Sequence, residues 1–115
     1  MFQVVYADEL TVSDYDYFDL FRSLEMSNDN WEEVVKRIKH HNVQVVAEVF
    51  GTKSFDLMIN LGVDAIKVHA SDIANTPFLQ YIGSYDIPIL LAVGGAENEE
   101  IKRAISMLNN NKEII

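Results

Sequence analysis

Residues 62–108, GVDAIKVHASDIANTPFLQYIGSYDIPILLAVGGAENEEIKRAISML, decide the fold. They read as strand, polar loop, short helix, strand, Gly-Gly turn and helix. Val63 to His69 is an apolar strand interrupted by one charge, Lys67. Burying a lone ammonium among apolar groups is costly unless something pairs with it. Lys67 is therefore the strongest functional clue in the chain. Pro77 suits the first turn of the helix that runs to about Tyr81. Ile87 to Val93 forms the next strand, with Pro88 near its start. After Gly94-Gly95, the residues Ile101, Ala104, Ile105 and Leu108 repeat at i, i+3, i+4, i+7, the apolar stripe of an amphipathic helix. Asn109, Asn110 and Asn111 end it.

Upstream, the same alternation continues. Val43 to Phe50 is a β-branched, nearly all-apolar run that suits a parallel sheet buried on both faces. Gly51-Thr52-Lys53-Ser54 turns it into a helix carrying Phe55, Met58 and Leu61, which Gly62 ends. This turn lacks the spaced glycines of a phosphate loop. Before it, Ser27 caps a helix whose stripe is Trp31, Val34, Val35 and Ile38. Lys36, Arg37 and Lys39 gather near its end, where they suit the helix dipole, and Asn42 supplies a left-handed cap. His40 and His41 at that end are solvated in this reading. Phe2 to Tyr6 is a first strand, Ala7 to Asp14 a long loop, and Tyr15, Tyr17, Phe18, Leu20 and Phe21 an aromatic plug on a short helix. Strands alternating with helices imply a parallel sheet with right-handed crossovers.

Composition bounds the function. The chain has 115 residues, enough for one small domain or a piece of a larger one, and 49% hydrophobic residues, enough for a core. A net charge of −9 excludes a nucleic-acid backbone as partner, which needs clustered Lys and Arg. Without cysteine there is no thiolate chemistry or disulfide framework, which fits a cytoplasmic location. No apolar run approaches the ~20 residues of a membrane span, and no basic-then-apolar leader opens the chain.

The text Leu61-Gly62-Val63-Asp64-Ala65-Ile66-Lys67-Val68, then Asp72-Ile73-Ala74-Asn75-Thr76-Pro77-Phe78-Leu79, resembles the sialic acid synthase family, the N-acetylneuraminate and related nonulosonate synthases. Asp86 to Leu91, Gly94 and Glu99-Glu100-Ile101 continue the resemblance. Phe2-Gln3, Ala7 to Leu10 and Leu24 to Ser27 extend it upstream, so that it covers nearly the whole chain. The resemblance implies an α/β fold that is part of a (β/α)8 TIM barrel: a half-barrel of four parallel strands, two to five, with flanking helices. It implies condensation of phosphoenolpyruvate with an N-acetylmannosamine-type sugar, and a divalent Mn or Mg ion in complete members. The family's metal-binding histidines have no counterpart here, and Met1 stands where its second-strand Lys-Phe-Gln has the lysine.

The resemblance assigns Lys67 to holding phosphoenolpyruvate, and Asp72 replaces the family's glutamate with a shorter carboxylate. These two are the candidate catalytic residues. Gln3, Glu48, His69, Ser71 and Gly94 are the candidate substrate-binding residues, and no metal ligand is assigned. Strand alternation places Ala65, Lys67 and His69 on the inward face, with Ile66 and Val68 against the helices. The family's Ser-Thr-Pro-Phe becomes Ala47-Glu48-Val49-Phe50, and its Ser-Thr-Gly becomes Ala92-Val93-Gly94, so two hydroxyl pairs are gone. Glu48 puts an anion where an anionic substrate would lie and is a candidate ion-pair partner for Lys67. Two readings stay open: a polar cluster of Lys67, Glu48, Asp72 and His69 with no ligand, or a residual site for phosphoenolpyruvate or a sugar phosphate. The expected assembly is a homodimer closing an eight-stranded barrel, or a larger parent chain. A non-catalytic assembly module is the rival function, and a free-standing flavodoxin-like or receiver domain is the rival fold.

Overall fold

The computed structural model describes residues 1–110 and 113–115. Its centre is a four-stranded, all-parallel sheet in the order β1 (Phe2–Gln3), β2 (Val46–Val49), β3 (Ala65–Val68), β4 (Ile89–Leu91). Each strand lies beside its predecessor in the chain. A flavodoxin-like sheet instead reverses direction after its first strands, so the consecutive order removes that alternative and is the order of a barrel wall. Register is continuous across the sheet: Gln3 pairs with Glu48, Glu48 with Lys67, and Lys67 with Leu90.

Alternation then sorts the side chains. Ala47, Val49, Ile66, Val68 and Ile89 point to the helices and are buried, while Glu48, Lys67 and Leu90 share the opposite face. The helices α3 (Asn28–His40), α4 (Thr52–Asn60), α5 (Thr76–Ile82) and α6 (Asn98–Met107) supply Trp31, Val35, Phe55, Met58, Phe78, Leu79, Ile82 and Ala104 to one core, and Leu108 joins them just past α6. Ser27 caps α3 by accepting the Asn30 N–H at 3.2 Å, and Asn42 has φ 55°, the left-handed conformation at that helix's end. Among the described residues no helix is long and apolar enough to cross a membrane.

Several expectations change. The strands are shorter than the apolar runs: Val43 is exposed, and Tyr6 leads into a helix instead of ending β1. The expected loop after β1 contains α1 (Ala7–Leu10), whose first N–H is taken by the Glu25 carboxylate at 2.9 Å. The aromatic segment forms α2 (Phe18–Ser23) but is not a plug. None of its residues is buried, and Tyr15, Tyr17 and Leu20 stand exposed, because α2 packs mainly on the short helix α1 and not on the core. Ile105 of the final stripe is also exposed, while Met107 packs against the core. Asn111 lies outside the described residues.

The far edge of β4 is not bare. Ile89 donates to Glu113 at 2.7 Å and Leu91 to Ile115 at 2.9 Å, so the C-terminal segment runs parallel beside it. Among the described residues no strand pairs with the outer edge of β1. Phe55 is fully buried and touches both Tyr81 and Tyr85 edge-on. Phe55→Ala is expected to cost about 3–5 kcal/mol, whereas Ile105→Ala should cost under about 1 kcal/mol. Urea unfolding of both variants checks the pair.

Candidate functional site

The candidate site begins with the row that register creates on the inward face. Glu48 lies on the middle strand of three, between Gln3 and Lys67. Gln3 Nε2 donates to Glu48 Oε2 at 2.7 Å, and Lys67 Nζ stands 2.9 Å from Glu48 Oε1. Only 2% of the Glu48 side chain is exposed, against 26% for Lys67. Burial pushes the Glu48 carboxyl up, as low dielectric disfavours charge. The hydrogen bonds from Lys67 and Gln3, with the positive fields of Lys67 and His69, outweigh this and hold it below the usual carboxylate range. Glu48 is therefore an anion at neutral pH, and Lys67 is its counter-ion.

The other candidates do not join this pair directly. His69 follows β3, its ring 5.7 Å from that of Phe50, and its Nδ1 lies 2.9 Å from the Ser71 hydroxyl. Asp72 sits in the 3-10 turn Ala70–Asp72 and accepts from the Asn75 amide at 3.0 Å, while Asn75 caps α5. The expected four-residue cluster is thus two groups: Gln3–Glu48–Lys67 on the strands, and His69–Ser71 with Asp72–Asn75 in the loop beyond them. Gly94 lies in the turn after β4 with open space where a side chain would project. The start of α6 is closed by its own acids, since Glu100 accepts the Glu97 N–H at 2.9 Å.

One functional-end residue escapes sequence reasoning. Glu9 reaches from α1 to the N-terminus of α4, accepting from Lys53 N at 2.7 Å and Ser54 N at 3.2 Å. Helix N-termini attract anions, and here the chain supplies its own. A side chain on Gly51 would push the Glu9 carboxylate out of its present position. The distance in sequence hides this cap. Lys53, next to it, places its ammonium 3.7 Å from the Tyr6 ring centroid.

Among the described residues, no three His, Cys, Asp or Glu side chains gather to hold a metal ion. His40 and His41, with Lys36, Arg37 and Lys39, line a basic hollow at the C-terminal end of α3. That end leads into β2, so the hollow lies opposite the loops that follow the strands.

Comparison with known proteins agrees with this architecture. Residues 3–115 match the NeuB family. The chain is 27% identical over 106 residues to the N,N'-diacetyllegionaminic acid synthase of Campylobacter jejuni, covering 92% of this chain and 32% of that protein. It is 25% identical over 88 residues to the synthase of the same name from Legionella pneumophila, covering 76% and 25%. The fold superposes on the crystal structure of the N-acetylneuraminic acid synthetase of Leptospira borgpetersenii, in complex with citrate, with a TM-score of 0.85 and 20% identity. That match covers 93% of this chain and 38% of the synthetase. The chain thus spans about a third or less of the curated relatives it matches here.

Because the folded Glu48 carboxyl titrates below its ordinary value, its contribution to stability is present above about pH 4.3 and lost as pH falls through the folded value. Removing the counter-ion reverses the sign. In Lys67→Met the buried carboxylate is uncompensated, its proton affinity rises, and acidification relieves the strain. We expect Lys67→Met to cost about 3 kcal/mol at pH 7 and to lose part of that deficit by pH 4. Denaturant unfolding of both proteins between pH 3 and 7 checks this.

Proposed function

The chain belongs to the NeuB family, and on that premise we propose that it forms strands two to five of a synthase-like barrel serving nonulosonic acid and surface-polysaccharide biosynthesis. The observation that carries the reading is Lys67, a single ammonium on the inward face of a consecutive parallel sheet. In barrels of this kind the chemistry lies at the strand ends and in the loops that follow them. His69, Ser71, Asp72 and Gly94 all follow a strand. Lys67 and Asp72 are the candidate catalytic residues, and Gln3, Glu48, His69, Ser71 and Gly94 line the approach of phosphoenolpyruvate or a sugar phosphate. The citrate bound to the Leptospira relative supports a ligand of that charge class. A cytoplasmic location accompanies this reading.

The isolated chain does not itself condense phosphoenolpyruvate with an N-acetylmannosamine-type sugar. Its sheet holds four of the eight strands that close such a barrel.

A second reading, a non-catalytic scaffold that completes its barrel with a second copy or a larger parent chain, is favoured by the open β1 edge. Phe2 stacks on Trp31 there at 5.2 Å, and the Trp31 indole N–H is buried without an acceptor among the described residues. An open strand edge invites pairing. The purified chain, incubated with phosphoenolpyruvate, sugar and Mn²⁺ or Mg²⁺, should yield no condensation product. Product formation contradicts the inactive reading. Light scattering should give twice the chain mass if a second copy completes the barrel, and a stable monomer contradicts that closure.

A further inference from the structure

We propose that the basic hollow at the end of α3 receives the exposed aromatic segment before α2 of a second copy of this chain, in a head-to-tail contact. The contact leaves the β1 edge untouched and is separate from the barrel closure considered above.

Neither surface is covered within the chain. Val12, Tyr15, Tyr17 and Leu20 all stand exposed within nine positions, 12–20. Single exposed apolar groups are ordinary, whereas a contiguous patch marks a contact surface. Asp14, Asp16 and Asp19 are interleaved with them, also exposed, and their carboxylates have no hydrogen-bond or ion-pair partner among the described residues.

The hollow, of about 690 Å³, is the complement of that segment. Three of the nine Lys and Arg residues and two of the three His fall within positions 36–41, so an otherwise acidic chain concentrates its positive groups here. Glu33 is taken by Arg37 at 2.6 Å, and the His40 and His41 rings stand edge to face at 5.9 Å. Aliphatic stems and imidazole rings give the hollow apolar walls, with the cationic heads at its rim. A tyrosine ring flanked by carboxylates fits such a site, since the ring accepts a cation over its face while the carboxylates meet the rim.

Placement makes the contact intermolecular. The segment lies beside α1, near the loops that follow the strands, and the hollow lies at the opposite end. The 13 residues of α3, about 20 Å of helix, separate them. Because the two surfaces differ, the contact is heterologous and extends into a ring or an open row of copies.

Charge exchange tests it. Sedimentation velocity is run on the wild type, Lys36→Glu/His40→Glu, Asp14→Lys/Asp16→Lys and an equimolar mixture of the two variants. The wild type should associate as its concentration rises, and about tenfold more weakly once sodium chloride is raised from about 0.05 to 0.5 M. Each variant alone should lose this association, because like charges then face each other. The mixture should recover it, pairing the intact segment of one variant with the intact hollow of the other. Tyr17→Ser, which leaves the charges unchanged, should weaken it. A wild-type mass independent of concentration and salt overturns the proposal, whether it is that of a monomer or of a closed dimer. Association retained in both variants, or a mixture that does not recover it, overturns it as well. If either double variant fails to fold, the salt response of the wild type and the Tyr17→Ser result decide.

Discussion

The constraint on which the inward face depends is the burial of one carboxylate in the centre of a sheet. Withdrawing Glu48 from water costs several kcal/mol after relaxation, and only close partners repay it. Lys67 and Gln3 do so because parallel register puts all three on the same row. A one-residue slip of any strand would turn its member of the row toward the helices. The ion pair therefore supports the register as much as the register creates the ion pair. Ala47 and Ile66, the neighbours of Glu48 and Lys67 on the opposite face, are fully buried and resist the same slip.

The sheet is covered by helices on the side of Ala47, Val49, Ile66 and Val68, while its other side carries the polar row. That asymmetry is what a barrel wall needs and what an isolated sheet finds hard to sustain. The C-terminal segment beside β4 and the exposed Tyr15 and Tyr17 just before α2 belong to the same picture. Carboxylates also meet the chain's own donors at three places. Glu9 occupies the start of α4, Glu100 the start of α6, and Glu48 the sheet itself. A chain of net charge −9 thus directs part of its acidity onto its own donors.

Much of this was legible in sequence. The apolar stripes of α3 and α6, the cap at Ser27, the left-handed Asn42 and the parallel alternation all follow from local periodicity and backbone preference. So did the pairing of Glu48 with Lys67, because one buried-looking charge demands another. What sequence did not reveal depends on contacts distant in the chain. Glu9 lies more than 40 positions from the Lys53 N–H it caps. The helix at Ala7–Leu10 is anchored by Glu25, which local propensity does not register. Asp72 looked like a partner for Lys67, but a nearer amide, Asn75, takes it first. The aromatic run around Tyr17 has core composition without core placement, since burial is decided by what packs above it.

The central claim is that Glu48 is a carboxylate kept ionised at neutral pH by Lys67 and Gln3. A carbon-detected NMR titration of the Glu48 side-chain carboxyl tests it most directly. The account predicts a midpoint clearly below the ordinary glutamate value of about 4.3. A midpoint at or above that value would mean that burial prevails over its partners, and would contradict the account.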